Sequence, residues 1–295
     1  MAINRDYVQY FPAATSHNDA YRDFLSLTGT LMKEEARTSI TLLSRSGDSG
    51  SGTPLSFVLK VYRYPHITRI RTIKQISIAE REYRGLQQCQ LYGVPVAQPV
   101  GFGVERGLGG MVRSCFVVTR LVEDTVSFKA WLNQKDERKF ERHAPTAYVM
   151  QQIGQYLRRL HENRFFLMRP APKNILLRDT ATARPQPLFI DLAYARSFPL
   201  YLAPQCGQRV DFGLLFGPFL RWSYEDVLEP FLEMYLPDPF GRTPAELRQF
   251  ILRAARIHKN RTPLTWASHR IHRAIRHRIL AMSGGKHRSG ERGGS

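Results

Sequence analysis

Long apolar runs are missing from this chain of 295 residues. A membrane-spanning helix needs roughly 18 or more consecutive apolar residues. The longest apolar stretches, such as LLFGPFL from Leu214, are only core-sized, so no span is expected. The start, MAINRDYVQYF, has no basic segment followed by an apolar one, so no secretory signal is expected. Cysteine is scarce. Cys89, Cys115 and Cys206 lie far apart, which makes neither a metal-ligand spacing nor a disulfide framework and suits a reducing cytosol. Acidic residues are also few: 25 Asp and Glu stand against 43 Lys and Arg, a formal net charge of +18.

That charge is uneven. From Arg256 to the end there are ten Lys and Arg against one acid, Glu291, giving +9. A second basic cluster is Arg63, Arg69, Arg71 and Lys74. Such fields attract nucleic acid, acidic lipid headgroups or phosphorylated glycans without choosing among them. No nucleic-acid motif accompanies the charge, so specific nucleic-acid recognition is not expected. Hydrophobic residues at 43% and aromatics at 11% mark a globular chain, long enough for one large domain or two lobes.

The first part of the chain reads as mostly β. Residues 1–20 are polar and read as a loose arm. GTLMK and RTSITLLSR alternate and read as strands, followed by a loop from Ser46 to Pro54. LSFVLKVYR is a strong strand, with Phe57, Leu59 and Val61 on one face and Val58, Lys60 and Tyr62 on the other. Residues 67–93 read as one helix. VAQPVGFGVERGLGGMVRSCFVVTRLV reads as strand, glycine turn, strand. After Glu123 the pattern becomes helical. Ser127 can cap FKAWL, and Val149, Ile153, Tyr156, Leu157 and Leu160 form one apolar helix face. NILLR and PLFIDL read as short strands around a loop, and three further helices follow.

Several residues are spaced as phosphoryl transfer requires, where a protein mainly positions groups and neutralises charge. Lys60 in FVLKVYR has the form of a strand lysine that meets phosphates. Glu82 in AEREYRGL suits its helix partner, with Glu80 the fallback. Asn174 and Asp191 lie on the far side of the lobe junction, 17 residues apart, Asp191 following an apolar strand. The literal DFG at Asp211 opens a helical pattern instead, and Asp211 reads as a helix-start carboxylate able to accept loop N–H groups. GFGVERGLGG at Gly101 follows Lys60 and reads as a hairpin turn. The turn between the first two strands, KEEAR, has no glycine.

AEREYRGLQQCQLYGVPVAQPVGFG, FVVTRLVEDTVSFKAWL, KNILL, FIDLAYAR and VDFGLLFGPF together resemble the lipopolysaccharide core (Kdo/heptose) kinase family, from about Thr28 to about Tyr235. The resemblance implies an α+β, bilobal protein-kinase-like fold: an arm at 1–20, a small β-rich N-lobe at 21–122, a larger helical C-lobe at 123–262 and a basic helix and tail at 263–295. It implies ATP and Mg²⁺ as cofactors and a lipopolysaccharide core sugar as acceptor, at the cytoplasmic side of the inner membrane. Lys60 and Glu82 would then anchor nucleotide phosphates, and Asn174 and Asp191 would hold Mg²⁺. Arg120, Leu121 and Val122 would meet the adenine through backbone groups.

One position departs from the family. Arg169 stands where the family carries its catalytic Asp, and an arginine stays protonated at any working pH. General-base assistance is worth roughly 10²–10⁴ in rate. The departure leaves two readings open: a kinase with a displaced base, for which His161, Glu162 and Asp179 are the nearby options, or a non-catalytic pseudokinase that scaffolds or regulates envelope biogenesis. WASHRIHRAIRHRILAM, with Trp266, Ile271, Ile275, Ile279 and Leu280 at helical spacing, suits either a helix on an anionic membrane surface or one docked on the C-lobe.

Overall fold

The computed structural model describes residues 1–11, 24, 27–46, 54–65, 69, 72–73, 75–133, 143–197, 204–221 and 227–259. The expected basic C-terminal helix, Arg71 and Lys74 lie outside these residues. In chain order the elements are β1 (Ala2–Ile3), β2 (Thr30–Glu35), β3 (Thr38–Arg45), β4 (Leu55–Arg63), α1 (Ile78–Leu91), β5 (Pro99–Arg106), β6 (Val112–Arg120) and β7 (Val126–Ser127). Then come α2 (Phe128–Asn133), α3 (His143–Glu162), β8 (Phe165–Phe166), β9 (Ile175–Arg178), β10 (Gln186–Phe189), β11 (Arg196–Ser197), α4 (Gln205–Arg221), α5 (Leu228–Tyr235) and α6 (Pro244–Lys259).

A six-stranded antiparallel sheet, ordered β1-β5-β6-β4-β3-β2, forms the first lobe. The period-2 alternation of β4 sorts its side chains as the sequence predicts. Phe57, Leu59 and Val61 join Leu43, Val100, Phe116 and Val118 in a core on one face. Tyr62 packs on the other face with Ala79 and Tyr83 of α1. The second lobe is helical, around one large core that includes Val149, Ile153, Leu157 and Leu160 of α3. Leu86 and Cys89 from the last turns of α1 also belong to that core, so α1 packs against both lobes. Two small ladders, β10-β9-β7 and β11-β8, carry the loops between the lobes.

Two stretches differ from expectation. The helix read over 67–93 is not continuous: Arg69 is helical, but a separate helix begins at Ile78, where the Ser77 side chain accepts the Glu80 N–H and caps it. Ahead of it, Thr72 and Gln75 are tied to the β5–β6 hairpin: the Thr72 hydroxyl accepts the Val112 N–H, and Arg106 donates to the Gln75 carbonyl. The chain's first residues are not a loose arm. β1 adds an edge strand beside Gly101 and Phe102, and a Cβ at Gly101 would stand 2.8 Å from the Ala2 carbonyl. Asn4 caps a 3₁₀ turn over Arg5–Tyr10, which delivers Tyr7 and Phe11 into the sheet core. Burial of these aromatics outweighs the polarity of their neighbours.

Phe11 stacks on Phe24 at 4.8 Å and meets Phe57 edge-on at 5.0 Å. Phe11→Ala should therefore lower stability by about 3–5 kcal/mol, read from the urea midpoint. Substitution of the exposed Leu91 should change it by no more than about 0.5 kcal/mol.

Candidate active site

Between the lobes lies a cleft of about 1260 Å³. Its apolar walls include Ile40 and Val58 from the sheet and Leu176 and Ile190 from the helical lobe. Lys60 enters from β4, and its ammonium sits between two carboxylates. It is 2.6 Å from Asp191 Oδ1 and 3.3 Å from Glu82 Oε1. Glu82, rather than the fallback Glu80, is its helix partner; Glu80 instead pairs with Arg84 at 2.6 Å. The Tyr62 hydroxyl donates to Glu82 as well. Tyr62 follows Lys60 by one pleat repeat on the same strand face, so its place was legible although its role was not singled out.

Burial pushes the Glu82 carboxyl up, opposed by the Lys60 charge. Burial also acts on Asp191, yet Lys60, then Arg169 and Lys173, hold it below the usual aspartate range. Burial would lower the Lys60 ammonium, but Glu82 and Asp191 raise it. α1 can approach this closely because of Gly85, where a Cβ would stand 3.1 Å from the Leu192 carbonyl.

Backbone contacts fix Asp191 and Asn174 together. Ile190 N–H donates to the Asn174 carbonyl at 3.0 Å, and Phe189 N–H donates to Pro95 at 3.0 Å. Asp191 itself has φ 60°, a left-handed conformation that a non-glycine residue adopts at some cost. Asn174 donates its Nδ2 to the Arg169 carbonyl at 3.1 Å, which leaves its side-chain oxygen as the uncommitted atom. Asp191 Oδ1 is engaged by Lys60, leaving Oδ2. Two such oxygens, completed by phosphates and water, suit Mg²⁺ rather than an all-protein cage. Among the described residues no group of three or more His, Cys, Asp and Glu is gathered as a metal cluster.

The loop from Leu167 to Asn174 hangs from Asp211. This carboxylate, fully buried in α4, accepts the N–H groups of Leu167 at 3.0 Å and Met168 at 2.6 Å. The expected bonding to loop amides holds, but Asp211 lies in the second turn of α4 and not at its start. The Tyr235 hydroxyl accepts from Gln208 at 2.7 Å, so its proton goes to His161 Nδ1 at 2.6 Å. The imidazole Nε2–H then donates to Asp211 at 3.1 Å. Sequence spacing gave no sign of this network.

Arg169 reaches the cleft. Its guanidinium lies 4.3 Å from the ring centre of Tyr194. None of the three displaced-base options is placed to act. His161 is fully buried against Asp211, Glu162 pairs with Arg158, and Asp179 sits in the turn after β9. Across the cleft, β2 and β3 join through the two residues Ala36 and Arg37, and Glu35 and Arg37 line the mouth where a glycine loop was already not expected. GFGVERGLGG is strand β5 and a turn with Gly109 and Gly110 at positive φ, as expected of a hairpin. At the lobe junction the Arg120 amide donates to Gln98 and the Leu121 amide to Ser56. Val122 is then the residue of the three whose amide makes no such backbone bond, and all three line the cleft.

The lipopolysaccharide kinase (Kdo/WaaP) family model matches residues 64–198, which hold Glu82, Arg169, Asn174 and Asp191. The resemblance read from the sequence is borne out. The matched kinase segment is shorter than the stretch from Thr28 to Tyr235 and starts after Lys60. No curated protein sequence matches the chain. A solved structure described as WaaP in complex with acyl carrier protein is similar at a TM-score of 0.63 and 16% identity, covering 87% of this chain and 98% of that one. At that identity the likeness shows the fold: an α+β, kinase-like pair of lobes.

Lys60→Met would leave Glu82 buried without its cation, at an expected cost of about 3 kcal/mol. The folded state would then bind more protons than the unfolded state. Stability of the variant should therefore fall as pH rises above the ordinary glutamate value of about 4.3. In the unsubstituted protein Asp191 shifts the other way. Its contribution is present above about pH 3.9 and lost as pH falls below that. Urea midpoints at stepped pH check both signs.

Proposed function

We propose that the chain binds ATP with Mg²⁺ in the interlobe cleft and acts as a phosphotransferase on a hydroxyl of a lipopolysaccharide core sugar, with slowed chemistry. The observation that carries this reading is the meeting of Lys60, Glu82 and Asp191 within 3.4 Å, beside Asn174. Lys60, oriented by Glu82, neutralises nucleotide phosphates. The Val122 amide meets the adenine edge, between apolar side chains from both lobes. Asn174 and Asp191 would hold Mg²⁺, which when bound supplies charge neutralisation on the transferred phosphoryl group. Asp191 exchanges its contact with Lys60 for that role.

Arg169 cannot take a proton from the acceptor hydroxyl. The transition state of phosphoryl transfer is loose in most analyses, so positioning and charge neutralisation carry most of the catalysis. A second reading, a non-catalytic pseudokinase in envelope biogenesis, is favoured by the same residue, because none of His161, Glu162 and Asp179 is placed to replace the missing base. No helix among the described residues is long and apolar enough to cross a membrane. In this proposal the +18 chain meets its acceptor at the anionic cytoplasmic face of the inner membrane, with residues 263–295 adding to the attraction.

Thermal unfolding with ATP, with and without Mg²⁺, tests the binding. Nucleotide at a hundred times its Kd should stabilise by roughly 2.7 kcal/mol, and Asp191→Asn should lose the Mg²⁺-dependent part. Labelled γ-phosphate should reach a core-sugar acceptor, slowly, and Asp191→Ala should abolish this. Nucleotide binding without transfer to any acceptor would favour the pseudokinase reading. No thermal shift at millimolar nucleotide would leave only the fold.

A further inference from the structure

The catalytic loop places two cations where the acceptor would approach, and no salt bridge within 4.0 Å holds either of them among the described residues, although both act on Asp191 and Lys173 also acts on Glu35. Arg169 lies half-buried, its Cζ 4.3 Å from the centre of the Tyr194 ring. A guanidinium held over a ring keeps N–H groups available to a second partner. Lys173 is exposed one turn further along the same loop and also lines the cleft. Both charges are felt at Asp191. The loop's hydrogen bonds use the Arg169 carbonyl, which accepts from Asn174 Nδ2 and from the Ala171 N–H, and not its side chain. Tyr194 therefore holds a pre-positioned fork beside the reacting end of the cleft, on the lobe opposite Lys60. A planar fork with a second cation beside it matches a carboxylate or phosphate group.

We propose that Arg169 and Lys173 form an anion-binding subsite for the acceptor, so that the sugar engaged here carries a carboxylate or phosphate near the hydroxyl to be modified. This rests on the proposed nucleotide-dependent transfer and assigns its acceptor specificity. The cation that removes the base becomes the group that recognises the substrate.

The test uses the full chain, saturated with a non-hydrolysable ATP analogue and Mg²⁺ at constant ionic strength. It is titrated with glucose, glucuronate and glucose 6-phosphate, with apparent Kd read from thermal shifts. The anionic sugars should bind at least about tenfold more tightly than glucose, as one charge-assisted contact implies. Their relative order then tells carboxylate from phosphate. Arg169→Gln and the surface substitution Lys173→Ala should each reduce the preference by a larger factor than they change the affinity for ATP or ADP. Equal binding of the three sugars, binding of none, or a preference that survives both substitutions would overturn the proposal. So would Arg169→Gln weakening ATP but not ADP, which assigns the guanidinium to the transferred phosphate. If the ATP analogue itself gives no shift, the proposed function fails. The sugar preference, read on the nucleotide-free protein, is then judged by the same outcomes.

Discussion

A single ammonium group ties the molecule together. Lys60 comes from the middle of the first lobe's sheet, Glu82 from the helix that packs on both lobes, and Asp191 from the end of a strand in the second lobe. A buried carboxylate is costly unless it is paired and hydrogen-bonded. Glu82 is paired with Lys60 and bonded by Tyr62, so its position depends on β4 lying where it does. Asp191 in turn restrains the second lobe. Burial alone would push both carboxyls toward neutrality, and the cation between them opposes that. The arrangement of the lobes and the electrostatics of the cleft are thus one constraint.

The catalytic loop is held by different means. Its backbone amides meet Asp211 and its Arg169 carbonyl meets Asn174, while His161, Tyr235 and Gln208 complete a network beneath. Among the described residues, the bonds that set the loop's course use its backbone, the buried Asp211 and the Asn174 side chain. None of them uses the side chain of Arg169.

How far the sequence reveals this varies with the range of the interaction. The two faces of β4 follow from strict alternation, so Lys60 could be placed on its strand. Asp191 could be found at the end of a short apolar strand. Glu82 lies near enough to the start of a helix for its reach to be estimated. The break within residues 67–93 was missed: Ile73 and Ile76 are exposed, and Ser77 caps a helix that starts after them. The buried network was not legible, since His161 and Tyr235 are 74 residues apart and neither sits in a local pattern. Nor was the packing of Tyr7 and Phe11, because an aromatic residue in a polar segment does not announce which distant sheet will cover it.

That the loop's hydrogen bonds use the Arg169 carbonyl and not its side chain bears on how such a protein can diverge. In many enzymes the residue that performs the chemistry also props up its surroundings, so exchanging it damages the architecture. Here position 169 contributes its carbonyl to the scaffold and its side chain only to the cleft. A substitution at that one position can therefore change the charge of the cleft while the loop keeps its hydrogen bonds. Reactivity and scaffold are carried by different atoms of one residue, which lets either change without rewriting the other.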